Sequence, residues 1–133
     1  MANTTFSGPV RSENGFEQIT KNATTGAITT SATYGASITG GVQQLSGAGA
    51  VDITNLVTEI TTTGADALTL ANGSAGQIKI ITMVVDGGDG TLTPTTFANG
   101  TTITFDAVGE SATLVWNSTI GWIASSTQGA TIA

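Results

Sequence analysis

The sequence predicts an all-β protein, and three observations carry that expectation. Threonine supplies 27 of the 133 residues and glycine 18, which suits strands joined by tight turns: β-branched side chains favour a pleated backbone and glycine takes the dihedrals that turns need. Leucine, lysine, glutamate and arginine are sparse, and no segment carries apolar residues at i, i+3, i+4 and i+7. Short alternating apolar runs recur instead between clusters of Gly, Asn and Asp. The expected architecture is an antiparallel β sandwich or barrel, jelly-roll-like, over residues 51–133, preceded by an extended N-terminal arm over residues 1–50.

Residues 1–50 are the less hydrophobic part. Phe6, Val10, Phe16, Ile19, Ile28, Tyr34 and Ile38 stand singly among Thr, Ser, Gly and Asn. Such spacing suits an arm that becomes ordered by lying along another surface, whether its own body or a neighbouring subunit. From Val51 the pattern sharpens. VDITNLVTEITTT alternates loosely and reads as a strand or two, and ALTLA (67–71) sets Leu68 and Leu70 on one face. QIKIITMVV (77–85) is a nearly continuous apolar run and the best candidate for a central strand. TTITFD (101–106) aligns Ile103 with Phe105, SATLVW (111–116) aligns Ala112, Leu114 and Trp116, and GWIA follows the NSTIG turn. ANGSAG, DGGDG, FANG and AVGE between them are turn chemistry. A weak internal echo joins LTL, a loop, Gly-Gln and IKIITMVV to ITF, a loop, Gly-Glu and ATLVW, which reads as two hairpin-like units.

Composition also limits chemistry. The chain has neither cysteine nor histidine, so disulfides, thiolate nucleophiles, imidazole bases and the usual zinc, copper or iron ligands are missing from it. Its three basic residues, Arg11, Lys21 and Lys79, are scattered among nine acidic ones for a formal net charge of −6, a balance that repels nucleic acid. No window is apolar and long enough for a membrane span, and MANTTFSGPVRSENGF lacks the basic-then-apolar order of a signal peptide, so synthesis in the cytoplasm is expected.

Asp86 and Asp89 in VVDGGDGTLTP could cradle a cation or turn the chain. Calcium takes about six to eight oxygen ligands, and this stretch offers two carboxylates without the tandem array of glycine-aspartate repeats. A turn is the simpler reading, with the aspartates accepting backbone N–H bonds and the glycines supplying unusual dihedrals. Glu13 and Glu17 lie in a polar arm that gives no control of their separation, so they read as solvated acids. Serine and threonine have no histidine base, and Lys79 falls in mid-strand. Trp116, Trp122, Phe97, Phe105 and Tyr34 could form a sugar-stacking platform, but the alternation places both tryptophans against a core. Threonine runs such as 61–63 are too irregular for an ice-binding array. The expectation is a protein without catalytic activity and without a cofactor or metal site.

GQIKIITMVVDGGDGTLTP and TTITFDAVGESATLVWNSTIGWIAS, within residues 66–126, resemble β modules that recur in structural proteins of tailed bacteriophages. MANTTFSGPVRSENGFEQITKNATTGAIT is similar to small virion proteins of marine phages. The resemblance covers capsid-decoration (cement), head-fibre and tail-fibre proteins alike, and the absence of shaft or heptad repeats favours decoration. It implies a virion structural protein on the capsid surface, a homotrimer whose partner is the major capsid protein, with neither nucleic acid nor membrane engaged. Phe6, Val10, Phe16 and Ile19 are the expected contacts of the arm with capsid or sister subunit, with Arg11 and Lys21 as rim charges. A tail-fibre or receptor-binding protein that recognises host glycans is the alternative.

Overall fold

The structure, a computed structural model, describes residues 16–34 and 41–133. The chain divides into two units, Met1–Gly40 and Gly41–Ala133. In the first, strands β1 (Phe16–Lys21) and β2 (Ile28–Tyr34) pair antiparallel, Phe16 opposite Tyr34 and Lys21 opposite Ile28, with a register shift between Gln18 and Ile19. Asn22 builds the turn: its side-chain oxygen accepts the N–H of Thr24 at 2.8 Å and of Thr25 at 2.9 Å. Over 16–34 the expected extended arm is therefore a hairpin, because the segments on either side of an Asn-led turn can satisfy each other's backbone.

The second unit holds the remaining strands: β3 (Val42–Ser46), β4 (Gly49–Val51), β5 (Val57–Thr61), β6 (Asp66–Leu70), β7 (Ile78–Val85), β8 (Gly90–Pro94), β9 (Ile103–Phe105), β10 (Ser111–Asn117), β11 (Gly121–Gln128) and β12 (Thr131–Ile132). They form two five-stranded sheets, ordered β11-β10-β7-β5-β3 and β12-β9-β8-β6-β4, packed on one hydrophobic core. Hereafter these are the β7 sheet and the β8 sheet. β3 and β4 pair within the body, so the body begins at Gly41 rather than near residue 51.

The pairing corrects the antiparallel, jelly-roll expectation. From β3 to β8 each strand passes to the opposite sheet, so strands two apart in sequence become neighbours and run parallel: β3 with β5, β5 with β7, β4 with β6, and β6 with β8. Parallel neighbours need a crossover of a dozen or more residues. Here a strand of the facing sheet supplies that crossover, with no helix. Only β9 to β12 close the sheets antiparallel, through β7–β10, β10–β11, β8–β9 and β9–β12. The two echoing units are likewise not hairpins. β6 and β7, like β9 and β10, lie in different sheets and make arches over the edge of the core.

Period-two alternation fills the interior. β7 is the middle strand of its sheet, as expected, and turns Lys79, Ile81 and Met83 inward. Ala112, Leu114 and Trp116 of β10 flank it, and Leu68, Leu70, Leu92, Ile103 and Phe105 face it from the β8 sheet. Because β7 is apolar at its alternate positions too, Ile78, Ile80 and Val84 are left on the outer surface. That run reads as continuous because both faces of the strand are apolar.

Candidate functional site

The DGGDG stretch folds as a turn. Asp86 Oδ1 accepts the N–H of Gly88 at 2.9 Å, the N–H of Gly87 donates to the Thr62 hydroxyl at 2.9 Å, and the Asp89 carbonyl accepts the N–H of Asp66 at 2.8 Å. Gly88 has φ of 144°, and a Cβ there would stand 2.7 Å from the carbonyl carbon of Gly64. These bonds hold the β7–β8 loop against the β5–β6 loop. The turn ends sooner than the sequence suggests, and TLTP continues as β8.

At the opposite end of the sandwich a polar cluster lies under the loop 52–56. Lys79 is fully buried, and its Nζ donates to the main-chain oxygen of Asn55 at 2.8 Å. Asp52 Oδ1 accepts the N–H groups of Thr54 at 2.9 Å and Asn55 at 2.7 Å, and its Oδ2 accepts the Asn55 carboxamide at 2.6 Å. Gln43 continues the network: its Oε1 takes the Asp52 N–H and the hydroxyl of buried Thr58, and its Nε2 donates to the Ala50 carbonyl. Burial disfavours the charged ammonium and pulls the Lys79 pKa below its ordinary value, while the Asp52 carboxylate acts the other way. Burial also opposes ionisation of Asp52, but the Asn55 N–H and carboxamide, the Lys79 charge and the Thr54 hydroxyl outweigh it and leave its pKa lowered. Among the described residues no buried side-chain nitrogen or oxygen lacks a partner. The amine thus ties β7 to the β4–β5 loop, and solvent does not reach it.

The tryptophans fill core positions, as the alternation indicates. Trp122 is fully buried and donates its Nε1–H to the Ala71 carbonyl at 2.8 Å; its ring meets that of Trp116 edge to face, centroids 5.4 Å apart at 71°. Phe97 packs partly buried against this core. Of the expected contact residues, Phe16, Ile19 and Lys21 lie in β1, whereas Phe6, Val10 and Arg11 lie outside the described residues.

What the body offers to a partner is its surface. Its acids are Asp52, Glu59, Asp66, Asp86, Asp89, Asp106 and Glu110, and its one base, Lys79, is buried. Asp66, Asp86, Asp89, Asp106 and Glu110 sit at or beside the loops of one end, 62–65, 86–89 and 106–110. The outer face of the β8 sheet is a field of small side chains, with Ala50, Thr69 and Thr93 in one cross-strand row and Ala67, Thr91, Thr104 and Thr131 in the next. The outer face of the β7 sheet is divided. Gln44, Glu59, Thr82, Ser111 and Gln128 form one cross-strand row, in which Gln44 donates to the Glu59 carboxylate. Toward the other end, Val42, Val57 and Ile80 align, as do Ile78, Val115 and Ile123. Sequence reading missed both surfaces, because their rows join residues from strands whose pairing was not known. The signal was present in L-T-L, T-L-T and I-T-F on one side and in Ile78, Ile80 and Val84 of IKIITMVV on the other.

No protein-family model matches the sequence, and no curated protein matches it.

Proposed function

We propose that the chain is a structural protein of a tailed-phage virion, of the capsid-decoration kind, which binds the major capsid protein and stabilises the shell. The observation that carries this reading is the division at Gly40/Gly41 between a β body with its own core and a separate N-terminal unit. That unit contains Arg11 and Lys21, the cations other than buried Lys79, together with the lone apolar residues Phe6, Val10, Phe16 and Ile19. The body brings the outer faces of its two sheets and an anionic surface. In the proposed role the N-terminal unit grips the shell and the body covers it, and attachment comes from apolar area removed from water at about 25 cal/mol per Å². No bond is made or broken. Support also comes from the phage-like stretch 66–126, which folds as one continuous set of strands from β6 into β11.

Shells stripped of decoration provide the test. Full-length protein is expected to co-sediment with them, and a variant lacking residues 1–20 to remain in the supernatant while its circular dichroism still reports a folded body. Undiminished attachment of the truncated chain would overturn the assignment of the N-terminal unit as the anchor. The glycan-binding alternative draws no support from Trp122, whose ring has no exposed face.

A further inference from the structure

The tripeptide Ala-Asn-Gly occurs twice in the body, at 71–73 and at 98–100, and the fold treats the two copies differently. An asparagine followed by glycine can react with its own backbone, because the next amide nitrogen reaches the carboxamide carbon with no side chain in the way. A C–N bond then forms and ammonia leaves. Water opens the resulting five-membered succinimide to aspartate, or to isoaspartate with the chain routed through the side-chain carbon. One water is consumed and one ammonia released, nothing is oxidised or reduced, and the chain gains one negative charge.

At the second copy the fold holds the reacting group. Asn99 Oδ1 accepts the N–H of Ala124 in β11 at 2.9 Å, the N–H of Ala98 donates to the Trp122 carbonyl at 2.8 Å, and the N–H groups of Thr101 and Thr102 donate to the Ala133 carbonyl at 2.6 and 3.1 Å. The carboxamide must give up its bond before its carbon can turn toward the Gly100 nitrogen. Asn117, which precedes Ser118 at the end of β10, is held in the same way, its Oδ1 accepting the N–H groups of Thr119 at 2.8 Å and Ile120 at 3.3 Å. Asn72 is exposed in the irregular stretch between β6 and β7, and among the described residues neither its carboxamide nor the Gly73 N–H takes part in a hydrogen bond. That stretch also closes over the core. The Ala71 carbonyl accepts the Trp122 Nε1–H at 2.8 Å, and a Cβ on Gly73 would stand 2.9 Å from Cζ2 of the same ring. Isoaspartate at 72 lengthens the backbone between these two contacts, so both cannot keep their present geometry.

We propose that Asn72 is a site of spontaneous deamidation, converted through a succinimide with Gly73 to aspartate and isoaspartate while Asn99 and Asn117 stay amides, and that the conversion loosens the loop from Trp122. The purified full chain is aged in mildly alkaline buffer, folded and in urea, and electron-transfer fragmentation of the intact protein assigns each conversion to its position. In the folded chain Asn72 should convert at least about tenfold faster than Asn99, the factor imposed by first losing one hydrogen bond. In urea the two Ala-Asn-Gly copies should convert at similar rates, since only the fold distinguishes them. The aged chain should then unfold at lower urea than the fresh one, whereas Asn72→Gln, treated alike, should keep its midpoint. Asn99 keeping pace with Asn72 in the folded chain would overturn the proposal, as would an Asn72 that stays intact when folded but converts in urea. A converted chain with an unchanged midpoint would overturn the loosening of the Trp122 contact. None of these outcomes bears on attachment to shells, so the two readings fail separately.

Discussion

Replacing Trp122 by alanine tests whether the tryptophans hold the core or serve a ligand. The side chain is fully buried, donates to the Ala71 carbonyl at 2.8 Å and meets Trp116 edge to face. Truncating a buried tryptophan costs about 3–5 kcal/mol through lost transfer energy and the cavity left behind. An aromatic pair contributes about 1 kcal/mol, and a carbonyl deprived of its donor costs about as much again, which sets Trp122→Ala near the upper limit, about 5 kcal/mol. Unfolding entropy near 2.1 cal/mol/K per residue gives the body, Gly41–Ala133, about 0.2 kcal/mol/K, so Tm should fall by about 25 °C. Trp122→Phe keeps an aromatic ring but loses the N–H, and about 2 kcal/mol is expected. Urea denaturation followed by circular dichroism measures both. A change within about 0.5 kcal/mol for Trp122→Ala, the range of surface substitutions, would refute the core assignment and restore Trp122 as a candidate for ligand stacking.

The turn and the buried lysine give further tests. Asp86→Ala removes the acceptor for the Gly88 N–H and should cost about 1 kcal/mol in urea denaturation, equally with and without calcium; a calorimetric signal for calcium lost in this variant would mark a cation site instead. Gly88→Ala sets a Cβ 2.7 Å from Gly64 on a backbone with φ of 144°, and a loss of about 1–3 kcal/mol is expected in the same assay. Lys79 has a folded-state pKa below the ordinary 10.5, so the unfolded chain binds more protons between the two values, and stability should rise with pH across that window. Lys79→Met should abolish that rise in urea denaturation at neutral and alkaline pH; an unchanged slope would mean that another group titrates. Asp52 is lowered below 3.8, so its stabilising share is present above that pH and is lost as pH falls through the folded value.

Much of the body was legible because alternation reports which side of a strand is buried. Leu68 with Leu70, Ile103 with Phe105, and Ala112, Leu114 and Trp116 all face the core as their spacing indicates. The same alternation says nothing about which strands pair, so the parallel stacking of β3, β5 and β7 was hidden. VQQLS and Gly49–Ala50 fall within the expected arm because three of those residues are polar and the rest of the stretch is rich in glycine and alanine, yet pairing with β5 and β6 makes them strands. In these positions tertiary pairing overrides local propensity. β8 was concealed by the glycines and aspartates that precede it, which build a turn only as far as Asp89. Lys79 does lie in a strand, though at its second residue rather than mid-strand, and its partner, the Asn55 carbonyl, lies in a loop 24 residues earlier that no spacing rule connects to it. The apolar rows on the outer face of the β7 sheet were not legible, because their alignment required the register.

The most direct measurement of the proposed role looks for this chain in purified tailed-phage particles and counts its copies by quantitative mass spectrometry against the major capsid protein. A decoration protein should be present in numbers comparable to the capsomers of the shell. A handful of copies per particle would place it at a tail or fibre, and its absence from particles would contradict the virion role altogether.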